Sequence, residues 1–151
     1  MAQKRLNIIP EGSSPIQEKF INCIMKQGKK STAQRIFADA MEIIAAKGHK
    51  DPVRLVEKAL ETLKPTLEVK AKRIGGAVYQ IPMEVKPGRQ TTLSIRWLLG
   101  ACRAKRNAPM AKKLADELIL AVNGEGSAIK KRDDVIKMAQ ANKAFAHYAK
   151  Y

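Results

Sequence analysis

The sequence predicts a mainly α fold: a single domain of about six helices, with a two-stranded β-hairpin projecting between the third and the fourth. Three observations carry this. Apolar residues recur at helical spacing through most of the 151 residues; Gly, Pro, Ser and Asp punctuation cuts the pattern into helix-length pieces; and between Leu67 and Val85 alone the period changes to two. A compact chain of this length buries about 68–70% of its unfolded surface, and a composition that is 45% hydrophobic can fill a core.

Ser14 is placed to cap the first helix, with Pro15 at its first position and Gln17 completing a capping box. Ile16, Phe20, Cys23 and Ile24 mark one apolar face, and Gly28 stops the helix. Ser31 with Gln34 repeats the box, and Ile36, Phe37, Ala40, Ile43 and Ile44 follow up to Gly48. Asp51-Pro52 opens a third helix through Leu55, Val56, Leu60 and Leu63, ended by Pro65.

Residues 67–85 form the hairpin. Leu67, Val69 and Ala71 alternate with Glu68, Lys70 and Lys72, and Tyr79, Ile81, Met83 and Val85 alternate with Gln80, Pro82 and Glu84. A two-residue Gly75-Gly76 turn would set Val69 opposite Pro82 and mix the two faces. A loop from Gly75 to Ala77 pairs Val69 with Met83 and Ala71 with Ile81, so the longer loop or a bulge is expected. A lone hairpin is marginal in water, so its base should lean on the helices while its tip projects. Three helices follow, at about 89–104, 109–122 and 130–148, with Asn123 to Gly126 between the last two. Residues 1–12 read as an extended arm and 149–151 as a tail, and no repeat or linker divides the chain.

The charge narrows the function. Twenty-nine basic residues against 14 acidic give +15, spread as +5, +4 and +6 over residues 1–50, 51–100 and 101–151. A folded body with this much distributed positive charge repels itself unless a polyanion neutralises it. Nucleic acid is the first such partner and an anionic membrane the second. No apolar run approaches the ~18 residues that span a bilayer, and Met1-Ala2-Gln3-Lys4-Arg5 lacks a signal-peptide stretch. The chain is therefore expected to be soluble and to stay inside. Cys23 and Cys102 fall within helices and read as inert buried thiols.

The fourth helix is the most informative segment. At about 100° per residue, Arg89, Arg96 and Arg103 fall in one narrow stripe with Gly100. Leu93, Ile95, Trp97, Leu98, Leu99, Ala101 and Cys102 occupy the rest, so the helix is packed on most sides. Arginine bonds two phosphate oxygens at once. A merely solvated face would mix signs, and this stripe has no acid. The hairpin adds Lys70, Lys72 and Arg73 beside Gly75-Gly76, with Tyr79 and Gln80 able to stack on or bond to an unpaired base. Lysines guarding a strand edge explain that segment equally well. Further basic clusters favour the RNA reading: Lys26, Lys29 and Lys30; Lys105 and Arg106; Lys112 and Lys113; Lys130, Lys131 and Arg132.

In the last helix, Met138, Ala141 and Phe145 share a face while Val135, Ala139 and Ala146 lie well round from them. One side is expected to meet the core and the other a partner. Other signals carry less. Gly28-Lys29-Lys30-Ser31-Thr32 looks like the end of a phosphate-binding loop, but Cys23 stands where that motif needs its earlier glycine. His49 and His147 lack ligand-spaced neighbours, so no metal or cofactor is expected. No nucleophile, base and orienter are legible together, and the chain does not read as an enzyme.

Four runs now bear on family. They are Gly28 to Thr32; Val69 through Lys72-Arg73-Ile74-Gly75-Gly76 to Pro82; Ile95-Arg96-Trp97-Leu98; and Ala141 to Tyr148, with Lys130-Lys131-Arg132 ahead of the last. Together they resemble ribosomal protein seven of the small subunit, bacterial or organellar type, over nearly everything from Phe20 to Tyr148. The resemblance implies a helical domain with a protruding β-ribbon and no enzymatic activity. It implies binding to the 3′ domain of small-subunit ribosomal RNA, nucleation of head assembly, and a place near exit-site transfer RNA and the messenger path. Small-subunit protein eleven would be its neighbour, with no homo-oligomer. It puts Lys29, Lys30, Lys72, Arg73, Gly75, Gly76 and Arg96 at or near RNA, and Phe145, His147 and Tyr148 against the protein neighbour. The chain departs from the family in its sparse arm (Lys4 and Arg5), in Ile136 where histidine is common, and in its ending Ala149-Lys150-Tyr151. The rival is an architectural DNA-binding protein with a basic hairpin arm, but a Gly75-Gly76-Ala77 tip is too small to wedge base steps.

Overall fold

The computed structural model describes residues 11–150. In chain order these form α1 (Pro15–Ile24), α2 (Lys30–Ala46), α3 (Pro52–Leu63), β1 (Leu67–Ile74), β2 (Ala77–Glu84), α4 (Pro87–Ala104), α5 (Met110–Val122), α6 (Ser127–Ala141) and a closing 3₁₀ helix (Lys143–Lys150). The mainly α architecture with a hairpin between the third and fourth helices is as the sequence predicts. Most of the expected arm, with Lys4 and Arg5, and Tyr151 lie outside the described residues.

Local capping sets several boundaries. Both bonds of the α1 capping box form: Gln17 N–H donates to Ser14 Oγ (3.2 Å) and Ser14 N–H to Gln17 Oε1 (3.3 Å). The buried face of α1 is Phe20, Ile21 and Ile24, whereas Ile16 is left outside. The helix ends at Ile24, and Gly28 (φ 72°) serves the following loop. The second capping box does not form. Lys29 is the N-cap of α2 and Ser31 lies inside the helix, because the loop closes the end itself through Lys30 N–H to Gly28 O (3.0 Å). Asp51 caps α3 through Arg54 N–H (3.1 Å), and Lys64-Pro65 follows its end.

The hairpin corrects the expected register. Val69 faces Pro82 and Ala71 faces Gln80, across a two-residue turn at Gly75 (φ 56°) and Gly76 (φ 86°). Positive φ at both turn residues matches the strand twist and favours glycine. The expected register presupposed one wet face. At the base, however, the adjacent residues Ile81 and Pro82 point to opposite faces and both are buried. The 3₁₀ helix covers the face bearing Lys72 and Tyr79, and α6 also packs against both strands. With both faces covered at the base, apolar residues are accommodated on either side, so strict apolar–polar alternation does not decide the register there.

The expected last helix, 130–148, is two elements. The α-helix ends at Ala141, and Asn142 Nδ2 donates to Met138 O (2.8 Å) at the break. The 3₁₀ helix then lays Phe145 and Tyr148 on Tyr79, with ring centroids 5.3 and 5.4 Å apart. So Phe145 no longer shares a face with Met138, which is half exposed, and part of the two-sided pattern is satisfied internally. Central α5 buries Leu114, Ala115, Leu118 and Ala121 against α2, α3, α4 and α6.

Candidate nucleic-acid interface

On α4, Leu93, Ile95, Leu98, Leu99 and Cys102 are buried while Arg89, Arg96, Gly100 and Arg103 are exposed, so the stripe is real. From Arg89 to Arg103 it runs about 21 Å at 1.5 Å per residue. Its ends are tied to other elements. Arg89 Nη2 lies 3.4 Å from Glu68 Oε2 at the hairpin base, so the stripe does have one acid beside it. Arg103 Nη2 donates to Cys23 O (3.2 Å) in α1. Arg96, between them, has no protein partner among the described residues. The stripe thus connects the hairpin to the α1–α2 loop. The Arg103 anchor is a neutral carbonyl, which leaves its charge available, and the exposed Arg89–Glu68 pair is weak.

Beyond Arg103 a cleft of about 460 Å³ opens between the α1–α2 loop, α2, α4 and α5. Its cations are Lys26, Lys29, Arg103 and Lys113, and no carboxylate lines it. The loop backbone is bent at Gln27 (φ 55°) and Gly28. Lys30 has turned to Glu18 (2.9 Å), whose carboxyl is held below its usual pKa chiefly by that hydrogen bond. A second cleft, about 260 Å³, joins Arg96, Trp97 and Gly100 to Ser127 and Lys131. At Gly100 nothing lies within 4 Å of where a Cβ would stand, so a ligand backbone can come close. Lys130 is also exposed.

Three further expected site residues, besides Lys30, Arg89 and Arg103, have structural partners. Lys105 Nζ is 2.6 Å from Oε2 of Glu117, a fully buried carboxylate whose Oε1 accepts from Ala128 N–H (2.9 Å) at the start of α6. Arg132 donates to Thr62 O at the end of α3 and pairs with Asp133. Lys72 Nζ reaches Tyr148 O (3.4 Å). Arg106 is exposed without a partner among the described residues.

On the hairpin, Lys70, Lys72 and Tyr79 share the face covered by the 3₁₀ helix, and Tyr79 is already stacked on Tyr148. Arg73, Val78 and Gln80 lie exposed on the opposite face. Of the expected partner contacts, Phe145 and Tyr148 are half-buried against Tyr79, while His147 is exposed. Cys102 is buried, and burial together with the Glu117 charge pushes its thiol up to about 12. Cys23, expected to be buried, is only half so. Of the other residues lining this cleft, Thr32 closes the Gly28–Thr32 run, whereas Met25, Gln27 and Met110 gave no sequence signal, because they meet only when α1, α2 and α5 pack. Among the described residues, no group of His, Cys, Asp and Glu is placed to hold a metal ion.

Comparison with known proteins is consistent along the chain. The family model described as ribosomal protein S7p/S5e matches residues 2–143. The chain is 53% identical over 148 residues to small ribosomal subunit protein uS7 of Streptomyces coelicolor, covering 97% of this chain and 95% of that protein. It is 52% identical over 142 residues to the protein of that name from Rhodopirellula baltica, covering 93% and 90%. With that of Micrococcus luteus it shares 50% over 148 residues, covering 97% and 95%.

Proposed function

Because the chain belongs to the ribosomal protein S7p/S5e family, we propose that the α4 stripe and its two flanking clefts are the surface on which it holds small-subunit ribosomal RNA. The protein is a structural constituent of the small ribosomal subunit, resides in the ribosome, binds ribosomal RNA and is not an enzyme. The finer reading is that residues 1–151 act as one RNA-binding unit on the 3′ domain. There it organises the head, near exit-site transfer RNA and the messenger path, with small-subunit protein eleven beside the 3₁₀ helix. His147, exposed next to Tyr148, is the side chain left to meet that neighbour.

One observation carries the assignment of the surface: a line of exposed arginines links the hairpin base to an acid-free cationic cleft. Arg96, Arg103, Lys29, Lys130 and Lys131 are its phosphate contacts, with Arg89 released from Glu68 to join them. Arg73 and Gln80 extend it along the open hairpin face. Lys30, Lys72, Lys105 and Arg132 hold the elements that present it.

The test is competitive binding of a labelled 3′-domain RNA fragment against excess duplex DNA or unrelated RNA. Resistance to both supports the reading, and equal displacement by duplex DNA would favour the architectural DNA-binding alternative. Arg96→Glu is the variant of choice because Arg96 supports no internal contact. Loss of one charge-assisted bond, worth about 1.5–3 kcal/mol, should weaken binding by about ten- to a hundredfold with the helical signal unchanged. With six to ten phosphate contacts, affinity should fall by about 10³–10⁵ between 50 and 200 mM salt.

A further inference from the structure

The cleft of about 460 Å³ beside Arg103 is more than a basic patch. Its rim is cationic, but its walls include Met25, Ile36 and Met110, which pack only partly against the core and so leave apolar surface facing the opening. Pockets that take small organic groups fall at roughly 300–1,000 Å³ and combine apolar walls with a few polar groups. Polarizable thioethers also contact aromatic rings favourably. A phosphate alone needs no apolar wall, whereas an unstacked base does.

Two of the cations are pre-positioned. Arg103 Nη2 is anchored on Cys23 O (3.2 Å) and Lys113 Nζ on Lys105 O (3.0 Å). Both anchors are neutral carbonyls, so neither charge is neutralised. Lys26 and Lys29 are exposed, without an acidic partner among the described residues. Gln27, on the same rim, sits at φ 55°, a left-handed conformation that a non-glycine side chain occupies at some strain. Its amide carries both donors and acceptors for a base edge.

We infer that this cleft receives one unpaired nucleotide of the bound RNA: the base lies against Met25, Ile36 and Met110, and its flanking phosphates lie on Lys26, Lys29, Arg103 and Lys113. Gln27 is the group that reads the base edge. The inference rests on the RNA-binding reading of the α4 surface and adds to it a single-nucleotide subsite.

The test replaces each unpaired position of the 3′-domain fragment in turn with an abasic nucleotide, for the native protein and for Thr32→Trp. Thr32 is exposed on α2 and lines the cleft, so the indole fills the space from the rim without replacing a core side chain. For the native protein, one position, or two adjacent ones, should weaken binding by about five- to a hundredfold, the range of base stacking. In Thr32→Trp that position should no longer matter, while the salt slope stays unchanged. Lys29→Gln should do the converse, lowering the slope by about one and keeping the abasic effect. If the indole disturbs folding by circular dichroism, Thr32→Gln repeats the measurement with a smaller filler. A flat abasic scan in the native protein overturns the inference, as does an abasic effect that persists when the cleft is filled. Failure of the native protein to prefer the fragment over unrelated RNA is a separate result, and it removes the RNA-binding reading together with the subsite.

Discussion

Truncating Glu117 to alanine should be among the most damaging single changes in this protein, although nothing marks the residue in the sequence. Its carboxylate is fully buried, accepts from Ala128 N–H (2.9 Å) and faces the Lys105 ammonium (2.6 Å). It also explains Gly126: a Cβ there would stand 2.8 Å from Glu117 Oε1, at a φ of 99°. Glu117→Ala leaves the Ala128 donor buried without a partner, at about 1–3 kcal/mol, and leaves a cavity costing about another 1 kcal/mol. Lys105 is about one-third exposed and regains water, so the lost ion pair adds little. The sum is about 3 kcal/mol of a total near 5–15 kcal/mol, or roughly 6–12 °C in Tm for a chain of this size. Lys105→Met should cost at least as much, because it strands a buried carboxylate. Thermal and urea unfolding followed by circular dichroism measure both. A loss below about 1 kcal/mol for Glu117→Ala would refute the claim that this carboxylate organises the start of α6.

Three further outcomes are expected. Arg132→Gln should lower stability, read as an earlier urea midpoint, and change RNA affinity less than Arg96→Glu does, since Arg132 is spent on Thr62 O and Asp133. In a thiol-reagent assay at pH 8, Cys102 should stay unreacted in the native protein while half-buried Cys23 reacts, and denaturant should release the second thiol. The Glu18 carboxyl titrates lower folded than unfolded, so the unfolded chain binds the extra proton as pH falls. Its contribution is therefore present above the ordinary glutamate value of about 4.3 and lost as pH drops through the lower, folded value. Glu18→Gln should flatten that part of a stability-versus-pH curve; an unchanged acid limb would count against the Lys30 contact.

What the sequence determined by itself is whatever a few neighbouring residues decide. Ser14-Pro15 with Gln17 sets the start of α1, Asp51-Pro52 that of α3, and the change to period two the place of the hairpin. The arginine spacing of 89, 96 and 103 placed a basic line on α4, because helical pitch alone puts those positions together. The net charge points to a polyanion whatever the fold, since self-repulsion depends on how many charges the chain carries. Tertiary structure decided what depends on distant partners. The register of β1 and β2 turned on both faces of the hairpin base being covered, and the end of α6 on aromatic rings meeting Tyr79. Which cations are held by the protein itself was settled the same way. Arg103 meets Cys23 across 80 residues, Lys72 meets Tyr148 across 76, and Arg132 meets Thr62 across 70. A lysine or arginine looks alike in a sequence whether it faces water or a buried acceptor, since its partner is chosen by packing.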